Sequence, residues 1–191
     1  IKDLVKSALL DKGIEVVYRG LPIPPSRYLV FDEEFERLPA YQQEKLDVKE
    51  SLFYMAIVGS LVWISGIRMD IVFSTMYLSW FTKSPRKHNL ETAIHVVQYL
   101  NSTIDIPLVL GGKDSGLHPA MFTDSSLGSG PKRRSISGGM MKIHPQSGAI
   151  SATSKATVGN RLNTFESELD AATAGFKELA YLKNFLQSID Q

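Results

Sequence analysis

Close to residue 105 the spacing of apolar residues changes character, and this change constrains the fold more than any other feature of the chain. Before it, apolar side chains recur every three or four residues, the period that buries one side of a helix. After it they fall in short β-prone runs between glycine, proline and charged turns, the pattern of strands. A last helical stripe then closes the sequence. Helices first, strands next and one covering helix at the end predict an α+β fold, with a three-strand antiparallel meander packed under that helix.

In the first part, residues 1–12 place Ile1, Leu4, Val5, Ala8 and Leu9 on one side of a short helix that Gly13 can end. The prolines of Leu21-Pro22-Ile23-Pro24-Pro25-Ser26 oppose helix and central strand alike and predict an extended linker. Residues 31–47 are charged and contain Pro39, so a loop with at most one turn of helix is expected. A helical region follows from Ser51 to about Phe81, interrupted at Gly59 and Ser65-Gly66 and stopped by Ser84-Pro85. A further helix is predicted from His88 to Asn101, with Leu90, Ile94, Val97 and Leu100 on one face.

In the second part, Leu108–Leu110, Ala120–Thr123, Ser135–Ile143 and Ala149–Ser154 are the β-prone runs. Residues 164–189 form the final helix. Its stripe of Phe165, Leu169, Ala172, Phe176, Leu179, Leu182, Leu186 and Ile189 is expected to face the sheet, with Thr164 as cap.

Charge says little about partners, since 21 basic residues stand against 20 acidic ones and the net charge is +1. The absence of cysteine excludes disulfides, thiolate zinc sites and a cysteine nucleophile. The longest apolar stretch, Leu52–Ile67, is broken by glycine and serine and followed by Arg68 and Asp70. It reads as a buried helix, so no membrane partner is expected. The opening Ile-Lys-Asp, without an initiating methionine, suggests a piece of a longer polypeptide.

Two carboxylates are placed for chemistry. Asp124 ends the apolar run Ala120–Thr123 and precedes the small residues Ser125, Ser126 and Gly128. Glu168 lies in the first turns of the final helix. If a strand end and a helix start bring them together, they make an oxygen-rich site suited to Mg²⁺. Thr-Asp-Ser-Ser is equally an ordinary Asx turn, and acidic residues in a first helical turn favour the helix dipole. Lys132, Arg133 and Arg134, with Ser125, are candidate contacts to nucleic-acid phosphate, although such a basic run also suits a solvated loop. His88, His95, His118 and His144 show no paired ligand spacing and read as surface or packing residues. Trp63 and Trp80 read as core. There is no Gly-x-Ser-x-Gly elbow and no phosphate-binding loop.

A series of segments resembles the Pol polyproteins of copia-type (Pseudoviridae) LTR retrotransposons. Ile1-Lys2-Asp3-Leu4 and Leu21-Pro22-Ile23-Pro24 are similar to the end of that family's reverse transcriptase. Val58-Gly59-Ser60-Leu61 with Arg68-Met69-Asp70-Ile71, then Tyr77-Leu78-Ser79 and Val97-Gln98-Tyr99-Leu100, are similar to its helical connection region. Phe122-Thr123-Asp124-Ser125, Arg134-Ser135-Ile136-Ser137-Gly138, Ser154-Lys155 and Thr164-Phe165-Glu166-Ser167-Glu168-Leu169 follow the order of its ribonuclease H (RNase H) motifs.

The resemblance implies three parts: residues 1–50 as the end of the reverse transcriptase and a Pro-rich linker, 51–104 as the connection region, and 105–191 as the N-terminal half of an RNase H-like domain. It implies an endonuclease that cleaves the RNA strand of RNA–DNA hybrids with two Mg²⁺ or Mn²⁺ ions. Asp124 would be the first catalytic aspartate and Glu168, rather than Glu166, the glutamate of the first helix. The family's third and fourth carboxylates would fall after Gln191. Asp190, on the order of 30 Å along the helix from Glu168, is too far to share a metal with it. The strand carrying Asp124 is therefore expected to show an unpaired edge, completed by the remainder of the Pol polypeptide or by a partner chain. The alternative is a catalytically inactive, domesticated or decayed module that serves as a protein or nucleic-acid scaffold. Cytoplasmic virus-like particles, with later nuclear entry, are the expected location.

Overall fold

The computed structural model describes residues 1–112, 116–159 and 161–189. Asp190 lies outside the described residues. The chain forms two compact units, Ile1–Pro107 and Leu108–Gln191. The first is helical, and the second is a three-stranded antiparallel sheet packed against one long helix, so the predicted α+β class holds.

In the first unit, α1 (Lys2–Ala8) buries Leu4, Val5 and Ala8 and packs against α4 (Val48–Ser65) and α6 (Lys87–Ser102). A 3₁₀ turn, Leu10–Lys12, extends it, and Gly13 stops it at φ 64°. That left-handed conformation costs a side-chain-bearing residue roughly 1–2 kcal/mol, which is why glycine stands there. Residues 31–47 hold two single-turn helices, α2 (Asp32–Phe35) and α3 (Ala40–Gln43). The predicted helical region divides into α4 and α5 (Val72–Ser79). α4 begins with a capping box, in which Glu50 N–H donates to Asp47 Oδ1 at 2.8 Å and Asp47 N–H donates to Glu50 Oε2 at 3.2 Å.

The Pro-rich stretch differs from the extended linker expected. Pro24 is extended at φ −72° and ψ 152°, but Pro25 starts a 3₁₀ turn, Pro25–Arg27. Proline suits that first position because the N–H it lacks would have no helical partner. The segment is also fastened down. His95 Nε2 bonds Leu21 O at 3.0 Å, His88 Nε2 bonds Arg27 O at 3.1 Å, and Tyr77 Oη donates to Leu29 O at 3.0 Å.

The core of this unit joins Tyr54, Ile57, Val58 and Leu61 of α4 to Tyr77, Leu78, Ala93, Val96, Val97 and Leu100. Only that stripe of α4 is buried. Leu52, Met55 and Val62 are exposed and Trp63 is 84% exposed, which corrects the reading of Trp63 as core and of the whole segment as buried. A straight helix presents one side to a core on one side, whatever its composition. By length and composition alone α4 could cross a membrane, with a mean hydropathy of 1.3 over 18 residues.

In the second unit, β1 (Ala120–Ser126), β2 (Ile136–Lys142) and β3 (Ser151–Ala156) lie in the order β1-β2-β3. Register pairs Phe122 with Met140, Asp124 with Gly138 and Ser125 with Ser137, then Gly138 with Ser154. Leu108–Leu110, expected as a strand, joins no ladder among the described residues. There Val109 O accepts one bond from Gly148 N–H at 2.7 Å. The outer edge of β1 has no partner strand among the described residues.

The final helix, α7, spans Thr164–Ile189 as predicted, but turns a different side to the sheet. Ser167, Ala171 and Gly175 are buried, while Phe165, Leu169, Phe176 and Ile189 of the expected stripe are exposed. Small residues at four-residue intervals let the helix backbone approach the strands closely, and the bulky side chains are left facing outward. The cap also moves by one residue. Asn163 Oδ1 accepts from Glu166 N–H at 2.9 Å, and Glu166 Oε2 accepts from Leu162 N–H at 2.9 Å, so Asn163 and not Thr164 closes the helix.

Candidate carboxylate site on the sheet

Strand alternation decides where Asp124 points. Gly175 of α7 approaches the side chains of Met121 and Thr123, so those positions face the helix. Asp124, between Thr123 and Ser125, therefore belongs to the opposite face of the sheet and is exposed there. Its cross-strand neighbour is Gly138, which carries no side chain, and the next residue across is Ser154. The cross-strand position beside the carboxylate thus carries no side chain. This feature depends on pairing register, which the run Phe122–Ser125 alone does not disclose.

Glu168 stands on α7 between two acidic neighbours that are already engaged. Glu166 is held in the cap and lies 3.9 Å from Arg161, measured from Oε1 to Nη1, and Asp170 pairs with the same guanidinium. Residues two apart on a helix do not face one another, so Glu168 leaves the helix on another side. That side flanks the sheet-facing Ser167–Ala171–Gly175 line. Neither Asp124 nor Glu168 has a hydrogen-bond or ion-pair partner among the described residues, and Glu168 is half-buried. Arg161 had no signal in the sequence pattern, and Glu166 only the mark of a first-turn acid.

Ser125 lies on the helix-facing side, paired with Ser137. The hydroxyls of Ser125, Ser137 and Ser167 are buried without a protein partner among the described residues. A cavity of about 70 Å³ opens nearby between sheet and helix, lined by residues that include Thr123, Ser137, Lys155 and Glu178. Ser125 and Asp124 accordingly serve different faces.

The basic run lies in the β1–β2 connection. Lys132, Arg133 and Arg134 are exposed, and Lys132 and Arg133 hold φ values of 56° and 58°. Left-handed backbone at two successive side-chain-bearing residues costs on the order of 1–3 kcal/mol each. The loop is closed by Gly130 N–H donating to Arg134 O at 2.8 Å. It emerges where Ser126 pairs with Ile136, two residues beyond Asp124.

The oxygen donors present are of the kind Mg²⁺ prefers, but they fall short of a coordination set. Among the described residues, no three His, Cys, Asp or Glu side chains come together in a way that could hold a metal ion. His88, His95 and His144 are buried, and the His118 and His144 rings lie 5.9 Å apart.

No protein-family model matches the chain, and no solved structure matches it. Among curated proteins it is similar to the Retrovirus-related Pol polyprotein from transposon TNT 1-94 of Nicotiana tabacum, at 34% identity over 137 residues. The match takes in 71% of this chain and 10% of that polyprotein, so the chain spans a small fraction of the relative's length.

Proposed function

We propose that this chain, which is related to a retrotransposon Pol polyprotein, is the RNase H-type portion of its reverse transcriptase. In this reading it cleaves the RNA strand of RNA–DNA hybrids and is completed by further Pol polypeptide or by a partner chain. What supports the reading is that relationship together with two carboxylates without partners among the described residues, Asp124 on an edge strand and Glu168 at the start of the covering helix, with Asp124 leaving the sheet on the face away from that helix. Divalent ions, Mg²⁺ or Mn²⁺, would supply water activation and leaving-group stabilisation when bound. The described residues offer fewer ligands than such a pair of ions requires, so the remaining ligands must come from the completing polypeptide. The chain's own contribution is to present Asp124 across from Gly138, which carries no side chain, and to keep Glu168 out of the Arg161 ion pairs. The exposed Lys132, Arg133 and Arg134 would hold phosphates of the hybrid, whose 2′-hydroxyls mark the RNA strand. Virus-like particles in the cytoplasm would be the place of action.

The same shortage of ligands favours a second reading, an inactive module used as a scaffold for protein or nucleic acid. Paramagnetic broadening of amide resonances by Mn²⁺ separates the two. Broadening centred on Asp124 and Glu168, and lost in Asp124→Asn, supports the nuclease. Broadening spread over acidic residues elsewhere, with these two untouched, supports the scaffold.

A further inference from the structure

Resting on the proposed nuclease for its ligand, we infer that the sheet face turned away from α7 is the surface on which the RNA–DNA hybrid lies. A ribose of the RNA strand packs against the ring of Phe122, beside Asp124. Phosphates reach Lys142 at one end of the face and Lys132 and Arg134 at the other.

Strand parity and register place these groups. Met121 and Thr123 face the helix at Gly175, so Ala120, Phe122, Asp124 and Ser126 share the other face. Register sets Lys142, Met140, Gly138 and Ile136 opposite them in that order. Phe122 is 54% exposed and its direct partner Met140 is 37% exposed, so an apolar pair stands in solvent next to the carboxylate. Two residues apart on one strand, Phe122 and Asp124 are roughly 7 Å from each other along it. The surface around the pair is shallow, because Ala120, Gly138 and Ala152, which pairs with Met140, carry a methyl group or nothing. The minor groove of an A-form helix is likewise wide and shallow and displays its riboses there, so a flat sheet can meet it.

Charge on this face suits a polyanion. The β1–β2 connection folds over one end of it, since a β-carbon added to Gly130 would fall 3.2 Å from Ile136 Cγ1 and Ile136 is buried there. That connection carries Lys132 and Arg134, both exposed. Lys142, opposite Ala120, stands at the other end. The three strands hold only two further charged residues, Asp124 and Lys155, and Lys155 pairs with Ser137, which faces the helix. Lys132, Arg134 and Lys142 have no ion-pair partner among the described residues. Cations therefore flank an exposed apolar pair, with Asp124 the single carboxylate that the strands bring to this face. Phosphates fit the ends, and the apolar side of a sugar fits the ring between them.

The test is the fluorescence anisotropy of a short labelled RNA–DNA hybrid titrated with the whole chain in EDTA, so that binding is read without metal. Phe122→Ala is expected to weaken binding about fivefold, the loss that fits half-burying a ring, and Phe122→Trp to restore it. Lys142→Gln should lower the slope of log affinity against log salt by about one. Asp124→Asn should tighten binding, because the carboxylate no longer repels the phosphate beside it. Unchanged affinity in a Phe122→Ala chain with unaltered circular dichroism and melting overturns the proposal, as does a salt slope that Lys142→Gln leaves unmoved. Equal affinity for a DNA duplex of the same sequence, which lacks the 2′-hydroxyls, overturns it as well. So does a dimer in solution that Phe122→Ala dissolves, for the face is then covered by a second copy of the chain. A completed protein that binds the hybrid through Phe122 but cleaves nothing leaves this surface standing while the nuclease falls.

Discussion

Gly175 of α7 lies so close to Thr123 of β1 that a β-carbon added to the glycine would fall 2.4 Å from the threonine Cγ2. This contact seats the helix on the sheet and commits Asp124, the next residue of β1, to the opposite face. Gly175→Ala gains roughly 1 kcal/mol in helix propensity, yet overpacking against a stiff β-branched side chain costs about 1–3 kcal/mol. The expected result is a lower melting temperature for Gly175→Ala, partly restored by adding Thr123→Ser, which removes the clashing methyl group. Additive effects in that double-mutant cycle would count against the close approach.

The first unit is expected to lose stability as acid is added, through His88 and His95. Burial, the largest influence on each, pushes both imidazoles below their ordinary value of 6.5. The bonds to Arg27 O and Leu21 O offset this only in part, while Arg27 beside His88 and Arg19 beside His95 add to it. Both partners are carbonyls, which only accept, so each Nε2 carries the proton of a neutral ring. A base with a depressed folded pKa binds fewer protons when folded than when unfolded. Its stabilisation is therefore complete above 6.5 and declines as pH falls from there through the depressed values. Thermal melts from about pH 8 to about pH 5 should show this decline, and His95→Gln should flatten it. A melt independent of pH across that window would contradict it.

Arg68 and Asp70 fasten the start of α5 to the end of α6. Arg68 grips Asp70 through Nε at 2.9 Å and Nη2 at 2.7 Å, and Nη2 also reaches Thr103 Oγ1 at 2.7 Å. Tyr99 Oη donates to Asp70 at 2.7 Å. Burial alone would raise the Asp70 carboxyl, but the bonds from Arg68 and Tyr99 outweigh it and hold the group below its ordinary value. Asp70→Asn should cost about 1 kcal/mol, toward the lower end for a charge-assisted site because the pair is partly exposed. Chemical denaturation measures it, and an unchanged midpoint would show the network to be idle.

Asn163→Ala should remove the cap of α7 and cost about 1 kcal/mol. Thr164→Ala should leave stability within about 0.5 kcal/mol of wild type, as exposed substitutions usually do. The opposite ranking would return the cap to Thr164.

How far the sequence disclosed the fold can be judged at α7. Its limits, 164–189, were legible because turn formers precede a long helical stripe. Its orientation was not, because the rule that bulky apolar residues face inward ignores how closely a line of Ser167, Ala171 and Gly175 can approach a sheet. Trp63 misled for a related reason, since α4 is apolar on sides that meet no core. The Pro-rich segment was expected to be extended, whereas His88, His95 and Tyr77, far along the chain, draw it onto α5 and α6. At the candidate site, Asp124 and Glu168 were legible as residues. The placing of Gly138 across from Asp124 depends on cross-strand register, and the diversion of Glu166 and Asp170 depends on Arg161, so neither was legible.

The most direct test is cleavage of a labelled RNA strand annealed to DNA, in Mg²⁺ or Mn²⁺, by this chain supplied with the Pol polypeptide proposed to complete the sheet edge at β1. Metal-dependent cleavage confined to the hybrid is predicted, lost in both Asp124→Asn and Glu168→Gln while folding is unchanged. Cleavage that survives both substitutions, or none at all from the folded, completed protein, would contradict the claim that these two carboxylates serve a nuclease.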